Sequence, residues 1–215
     1  MENNSKLTKI YIVRHGQTEA NEQKIVSGHF NTPLTLNGEK QAQRRAEDLK
    51  HIHFDAVFSS DLVRAKRTAE IIASDRQLAV NTTRLIRERF FGDWEGRLIS
   101  EVVEESKKMI AWRETLSEDG KRASKMNFGY ESDNDIAWRL ITFLREVAVI
   151  YSGKTLLVVA HGSIMRGLLM HLGFAMYEEL PSGSIENTGY MVLESDGVDF
   201  FIKETVGINK VKIEN

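Results

Sequence analysis

The sequence of 215 residues contains no cysteine, which excludes disulfides, thiolate catalysis and cysteine-ligated zinc. It has only 2 prolines, so no proline-rich linker divides the chain. No apolar run approaches the roughly 20 residues that a membrane-spanning helix needs. Neither sign of charge dominates, because 29 Lys and Arg are balanced by 31 Asp and Glu, for a formal net charge of −2. This balance argues against a broad basic surface of the kind that binds nucleic acid.

The first residues contain no apolar segment of the type found in secretory signals. We therefore expect a cytoplasmic protein with no membrane or nucleic-acid partner. At roughly 150 residues per domain, and without repeats or linkers, the length favours a single domain over residues 1–215. The oligomeric state stays open, with a dimer as one option.

Strand-like and helix-like segments alternate along the chain. Strands are predicted at 9–13, 55–60 and 155–160, and a two-strand unit at 189–193 and 198–203. Helices are predicted at 37–50, with Asn37 as N-cap, and at 61–74, 100–116, 132–151 and about 164–171. This alternation indicates an α/β fold with a mainly parallel sheet. In such sheets, ligands bind at the carboxyl ends of the strands.

Two of these strands end in a histidine that is followed by glycine. His15 follows Arg14 at the end of the first strand, and His161 follows the apolar strand at 155–160. Arg64 lies near the start of the helix after the second strand. We expect these side chains to meet at one edge of the sheet. Arginine offers a fork of donors that fits phosphate oxygens.

This cluster predicts phosphoryl transfer, because a neutral imidazole can attack phosphorus and form a covalent intermediate. Like charge from the two arginines is expected to lower the pKa of His15 and keep it unprotonated near neutral pH. The second histidine can donate a hydrogen bond to the phosphoryl oxygens. The leaving alkoxide needs a proton, and Glu88 is the candidate donor because aromatic residues and glycines surround it.

Five short motifs occur in a fixed order along the chain. They are Val13-Arg14-His15-Gly16-Gln17-Thr18 with Asn21; Gly28 with Pro33-Leu34-Thr35-Leu36-Asn37-Gly38; Ser59-Ser60-Asp61-Leu62-Val63-Arg64-Ala65 with Thr68-Ala69; Glu88 with Gly92-Asp93-Trp94-Glu95-Gly96; and Val159-Ala160-His161-Gly162. In these motifs the chain resembles the histidine phosphatase superfamily, the phosphoglycerate-mutase-like proteins. The resemblance covers about residues 9–190 and implies a three-layer α/β/α sandwich around a mainly parallel sheet.

The resemblance also implies roles for individual residues. His15 is implied to become phosphohistidine, and Glu88 to act first as proton donor and then as base. The phosphate pocket is implied to contain Arg14, Arg64 and His161. Further positions that contact the phosphoryl group or lie near the substrate are implied at Asn21, Gly162, Thr18, Ser27 and Gly28. No metal is implied, and no organic cofactor for a phosphatase.

The family contains phosphatases and mutases. Mutases carry extra cations for the second anionic group of their substrate, but this chain has Phe91 where a tyrosine is expected and Ile99 where a lysine is expected. Arg113 and the pair Lys121-Arg122 remain alternative cations. We therefore expect a histidine acid-type phosphatase that hydrolyses small phosphomonoesters. The alternative is a phosphoglycerate mutase that depends on 2,3-bisphosphoglycerate.

The segment 117–133 is polar and is expected to be a loop, while residues from about 99 to 133 are expected to form a lid or rim that selects the substrate. The stretch 121–125 is expected to be solvated surface. A non-catalytic phosphate-binding domain is a third hypothesis, but none of the implied catalytic residues is missing. A dinucleotide-binding fold would need a glycine-rich loop after the first strand, and none is present there.

Overall fold

The structure is a computed structural model that describes residues 7–212. Its strands are β1 (Thr8–Arg14), β2 (Ala56–Ser60), β3 (Val80–Thr83), β4 (Thr155–Ala160), β5 (Ile185–Ser195) and β6 (Phe200–Ile208). Its α-helices are α1 (Glu19–Glu22), α2 (Leu36–Asp48), α3 (Val63–Ala73), α4 (Ile99–Glu114), α5 (Glu118–Ala123), α6 (Asp133–Ile150) and α7 (Gly162–His171).

The strands form one sheet in the order β3-β2-β4-β1-β5-β6. β3, β2, β4 and β1 run parallel, whereas β5 is antiparallel to β1 and β6 is antiparallel to β5. The prediction of a mainly parallel sheet is therefore confirmed. Arg14 pairs with Ala160, so β1 and β4 end side by side. The residues that follow them, His15 and His161, consequently lie at the same edge of the sheet.

Helices cover both faces of the sheet and make the expected three layers. Along β4, Leu156 and Val158 pack into the core under α6 and α7. The alternating residues Leu157 and Val159 pack into the opposite core, which contains the apolar face of α3. Because β4 is buried on both faces, its sequence shows no alternation of apolar and polar residues.

The helix predicted at 37–50 begins at Leu36 and ends at Asp48, and the assignment of Asn37 as its N-cap was wrong. The cap is Thr35, whose Oγ1 accepts a hydrogen bond from the backbone N–H of Gly38 at 3.0 Å. The Asn37 amide instead donates to Oε1 of Gln17 at 3.1 Å. A threonine with extended backbone, one residue before the first helical residue, is the better-placed acceptor.

Three elements, α1, β3 and α5, were not predicted, and one surface assignment was wrong. β3 is a short edge strand with two exposed residues, so it has no apolar pattern. The segment expected to be a loop contains α5, capped by the Ser117 hydroxyl, which accepts from Gly120 N–H at 3.2 Å. Lys121 is buried rather than solvated, because its ammonium group is paired with three carboxylates. No helix within residues 7–212 is long and apolar enough to span a bilayer.

Candidate active site

The position of His15 is fixed through its backbone. Its N–H donates to the Ala160 carbonyl at 3.1 Å, across the parallel strands. Its own carbonyl accepts from Thr188 N–H at 3.3 Å and from the Asn187 side-chain amide at 3.1 Å. The residue after β1 is therefore held from both neighbouring strands.

The imidazole of His15 has a defined tautomer. Nδ1 lies 2.7 Å from the carbonyl oxygen of Gly16, and a carbonyl can only accept, so Nδ1 carries the proton. In the neutral ring, Nε2 then keeps its lone pair. Burial, followed by the charges of Arg64 and Arg14, lowers the pKa of His15 well below 6.5 despite the hydrogen bond to Gly16. The expected direction is confirmed, although burial is the larger cause.

The loop after His15 packs directly on the first turn of α2. A Cβ atom placed on Gly16 would lie 2.4 Å from the carbonyl oxygen of Gly38. A Cβ on Gly38 would lie 2.0 Å from the carbonyl oxygen of Gln17. Gly16 N–H also donates to Oγ1 of Thr68 in α3 at 3.1 Å. Only glycine allows the two backbones to approach this closely.

Arg64 is buried in the first turn of α3. Its guanidinium donates to the carbonyls of Phe30 at 3.0 Å, Ser27 at 3.1 Å and Gly28 at 2.7 Å. Burial lowers its pKa to about 10, against the opposing effect of Glu88. Because its hydrogen bonds go to neutral carbonyls, the charge of Arg64 is not cancelled by an ion pair at these contacts.

Glu95 holds the loop that supplies those carbonyls. Its Oε1 accepts from His29 N–H at 2.7 Å and from Phe91 N–H at 3.2 Å. Its Oε2 accepts from Phe30 N–H at 2.8 Å. The motif residue Glu95 therefore fixes the loop at 27–30 against the loop that contains Glu88.

Arg14 lies at the end of β1 and is also buried around its guanidinium. Nη1 donates to the Ile185 carbonyl, and burial lowers the pKa of Arg14, again opposed by Glu88. A Cβ on Gly162 would lie only 3.3 Å from Nε of Arg14. Within residues 7–212, Nε of Arg14 and Nε of Arg64 have no hydrogen-bond partner.

His161 is fully buried next to the nucleophile candidate, with its ring centroid 5.1 Å from that of His15. Neither of its ring nitrogens has a hydrogen-bond partner in the described part of the chain. Burial, Arg64 and the neighbouring His15 lower its pKa well below 6.5. Orphaned buried polar atoms are rare in proteins. Four of the six in the described residues belong to Arg14, Arg64 and His161, as a site for an anion requires.

Glu88 is placed at the same cavity by two backbone donors. Its Oε1 accepts from Arg89 N–H at 2.7 Å, and its Oε2 accepts from Ser163 N–H at 3.0 Å in the first turn of α7. Phe91 and Trp94 line the cavity beside it. The carboxyl group is therefore held in a fixed position at the cavity.

The remaining predicted positions divide into two groups. Asn21, Ser27, Gly28 and Gly162 line a cavity of about 420 Å³ together with Arg14, His15, Arg64 and Glu88. Thr18 does not line it. It is the N-cap of α1, where its Oγ1 accepts from Asn21 N–H at 3.2 Å and the Asn21 Oδ1 accepts from Thr18 N–H at 3.2 Å.

The sequence reasoning missed Asn187. Its amide donates to the His15 carbonyl and lies 3.4 Å from Oδ1 of Asn21, so it joins β5 to both residues. The only local signal is a polar run, Glu186-Asn187-Thr188, next to the apolar segment 190–193 of the same strand. Thr188 has φ 58°, which is unusual for a β-branched residue.

A second group of arginines lies beside the cavity around one buried carboxylate, and we call it the Asp133 cluster. Asp133 pairs with Arg89, with Arg113 at 2.6 Å and with Arg166 at 3.5 Å. Burial acts to raise the pKa of Asp133. The three arginines together lower it by more than burial raises it, so the net shift is downward. Burial lowers the pKa of Arg89, but Tyr130 and Asp133 raise it more. Tyr177 stacks on Arg113 and Arg166 at 4.6 and 4.4 Å.

No group of three or more His, Asp or Glu side chains among residues 7–212 is arranged to hold a metal ion. The arrangement instead offers a lone pair on His15, donors for an anion and a carboxyl group. These are the parts that phosphoryl transfer through a covalent intermediate requires.

Residues 10–206 match the histidine phosphatase superfamily (branch 1), and the chain belongs to this family. The match spans the whole site described above. The fold, the five motifs and the family assignment therefore agree, and the enzyme class is that of phosphatases and mutases of this superfamily.

Individual relatives include both phosphatases and mutases. The chain is 31% identical over 169 residues to adenosylcobalamin/alpha-ribazole phosphatase of Escherichia coli, covering 76% of this chain and 78% of that protein. It is 33% identical over 169 residues to a 2,3-bisphosphoglycerate-dependent phosphoglycerate mutase of Cytophaga hutchinsonii, covering 76% of each. The crystal structure of phosphoglycerate mutase from Bacillus anthracis superposes with a TM-score of 0.82 at 22% identity, covering 96% of both chains, and supports the fold alone.

Proposed function

We propose that this protein is a phosphatase that hydrolyses small phosphomonoesters through a phosphohistidine at Nε2 of His15. The observation that carries the proposal is the tautomer and surroundings of His15: Nδ1 is committed to Gly16, and Nε2 is the free nucleophile beside two unpaired arginine Nε atoms. A lowered pKa keeps this nitrogen unprotonated into the mildly acidic range, which supports an acid-type phosphatase.

In the first half-reaction, Nε2 of His15 forms a bond to phosphorus while the bond from phosphorus to the alcohol oxygen breaks. Arg14, Arg64 and His161 donate to the phosphoryl oxygens, with Asn21 and the Gly162 backbone as further donors. Glu88 gives its proton to the leaving oxygen, so the alcohol departs neutral.

In the second half-reaction, the Glu88 carboxylate takes a proton from a water molecule as the water oxygen attacks phosphorus. The bond from phosphorus to Nε2 breaks, inorganic phosphate leaves and Glu88 is protonated again. The same carboxyl group serves both steps because the alcohol and the water occupy the same side of the phosphoryl group. The backbone donors at Arg89 and Ser163 hold it there.

Three features of the cavity favour hydrolysis over the mutase reaction. Phe91 and Ile99 line it where a mutase is expected to have tyrosine and lysine. Arg113 lines it too, but its guanidinium is bound to Asp133 and to the Lys121 carbonyl at 2.9 Å. Lys121 itself is paired with Glu114, Glu118 and Glu178. Arg122, the remaining candidate, pairs with Asp119. Each cation that could have replaced the missing lysine is therefore already engaged by a carboxylate.

A rapid alkaline quench during turnover tests the intermediate. Phosphohistidine survives alkali and is lost in acid, so intact mass should reveal a phosphoryl adduct that disappears on acidification. His15→Ala should abolish the adduct and turnover. His53→Ala, at an exposed position, is the control and should retain both. An adduct that persists in His15→Ala means that another residue is the nucleophile.

A substrate panel tests the reaction type and the cofactor requirement. Phosphomonoesters and 3-phosphoglycerate are incubated with and without 2,3-bisphosphoglycerate, and the set is repeated in chelator. Release of phosphate that needs neither bisphosphoglycerate nor metal supports the proposal of a phosphatase with no cofactor. Conversion of 3-phosphoglycerate to its isomer only when bisphosphoglycerate is present would establish the mutase instead.

A further inference from the structure

The cavity has two chemically different halves. One half contains the phosphoryl donors around His15. The other half is an apolar wall, defined here as Val26, Trp94, Ile99, Val103, Ile110 and Met126. A phosphomonoester that places its phosphorus at His15 can place its alcohol portion against this wall.

We propose that the alcohol portion of the substrate is a bulky, uncharged apolar or aromatic group that this wall recognises. The proposal rests on the proposed function and names the substrate class of the same site. The group that contacts the wall is the alcohol portion of the substrate, because the apolar wall and His15 border one cavity of about 420 Å³. That volume falls in the range of about 300–1,000 Å³ that small-molecule sites occupy.

The helix α4 contributes most of this wall. Ile99, Val103 and Ile110 recur on one face of α4, yet they are 45%, 46% and 37% exposed. An apolar helix face is normally covered by core. Here it borders a cavity, so covering it makes the binding free energy of a ligand more favourable in proportion to the apolar area removed from water.

Three polar side chains that line the cavity are already engaged in hydrogen bonds within the protein. The hydroxyl of Ser106 donates to the Val102 carbonyl at 2.6 Å, and that of Ser184 donates to the Pro181 carbonyl at 2.7 Å. Arg113 is bound to Asp133. A sugar or carboxylate that reached these three groups would have to compete with their existing hydrogen bonds, which makes its loss of hydration costly in a partly buried site.

The test compares phosphate esters of primary alcohols, so that the leaving oxygen is chemically alike in each. The esters are 2-phenylethyl phosphate, phosphoethanolamine, glycerol 3-phosphate and 3-phosphoglycerate. Roughly 100 Å² of extra apolar burial corresponds to about a 70-fold higher kcat/KM for 2-phenylethyl phosphate than for glycerol 3-phosphate.

Ile99→Lys tests whether the wall causes this preference. The variant should lower kcat/KM for 2-phenylethyl phosphate about tenfold and raise it for 3-phosphoglycerate, because it replaces an apolar contact with a cation. Ile150→Lys is the matched control on α6, where Ile150 is 65% exposed and outside the cavity, and it should change neither value.

Equal kcat/KM for 2-phenylethyl phosphate and glycerol 3-phosphate would overturn the proposal, as would a preference that Ile99→Lys leaves intact. In both cases phosphohistidine formation and hydrolysis would continue, so the proposed function would stand. If no ester is hydrolysed and no phosphohistidine forms, the proposed function is wrong and this proposal fails with it.

Discussion

Two groups of arginines lie at the same cavity and differ in what their guanidinium groups contact. Arg14 and Arg64 donate to backbone carbonyls, which carry no net charge, and each keeps an unpaired Nε. In the Asp133 cluster, a single carboxylate binds three guanidinium groups. Arg64 is as buried as the arginines of the Asp133 cluster. The presence of a carboxylate, rather than burial, therefore distinguishes it from them.

The pKa values record that difference. Burial lowers the pKa of Arg14 and Arg64, because their charged forms are poorly compensated. The pKa of Arg89 is raised overall, because Tyr130 and Asp133 outweigh its burial. Each arginine of the Asp133 cluster already contacts a carboxylate. The hydrogen bonds of Arg14 and Arg64 go to carbonyls, so these two cations are available to a dianionic phosphoryl group. Counting arginines near a cavity therefore does not identify the ligand-binding ones.

The largest expected effect comes from removing the carboxylate of the Asp133 cluster. Asp133→Asn leaves three buried guanidinium groups without a counter-ion and should lower the free energy of unfolding by about 3–5 kcal/mol. Denaturant titration measures this loss. The control is Asp119→Asn, which breaks an exposed pair with Arg122 and should cost less than about 1 kcal/mol. Equal losses in the two variants would contradict the comparison.

Arg14→Met should have the reverse profile. Loss of a donor to the transition state should lower kcat/KM by about 10²–10³-fold. The free energy of unfolding should change by less than about 1 kcal/mol, since only one carbonyl contact is lost and a buried charge is removed. A loss of stability as large as that of Asp133→Asn would show that Arg14 is chiefly structural.

Inorganic phosphate should separate the two groups by its effect on thermal stability. At 100 times its dissociation constant, phosphate should stabilise the wild type by about 2.7 kcal/mol, seen as a raised Tm. Arg14→Met should lose most of this shift. Arg113→Met should keep it relative to its own baseline, because Arg113 is committed to Asp133. The opposite pattern would assign phosphate binding to the Asp133 cluster.

The smallest effect concerns the titration of His15. Its lowered pKa means that the acidic limb of kcat/KM in the wild type should lie below pH 6.5. Removing the positive charge of Arg14 favours protonation, so Arg14→Met should raise the pKa of His15. Imidazole NMR titration of both proteins measures the change. A downward shift would contradict the like-charge argument.

The fold was predictable where local sequence and tertiary environment agree. The bounds of β4 were predicted correctly, because an unbroken apolar run admits few other interpretations. The start of α6 was predicted to one residue, because Ser132 and Asp135 form a capping box. β3 is an edge strand held by β2, and α5 is a six-residue helix with an internal glycine. Both depend on neighbours that no local pattern reveals.

The candidate site shows the same limit. Arg14, His15 and Arg64 were predicted together because each follows or opens a recognisable element, and Glu88 was predicted from the aromatic residues and glycines around it. The structure brings all four to one cavity. Their chemical roles stay predictions until they are tested. The hydrogen bond from the Asn187 amide to the His15 carbonyl was missed because the two residues are far apart in sequence. The pairing of Arg113 with Asp133 was missed for the same reason.

The contact between Gly16 and Gly38 has a consequence for how the nucleophile is aligned. The atoms that a methyl group would strike are peptide oxygens, which cannot rotate aside as a flexible side chain can. Alanine at either position would therefore wedge the catalytic loop away from α2. A misplacement of about 1 Å is enough to cost roughly 100-fold in rate. The placement of the His15 imidazole thus depends on two glycines, Gly16 and Gly38, which have a hydrogen atom where every other amino acid has a carbon atom.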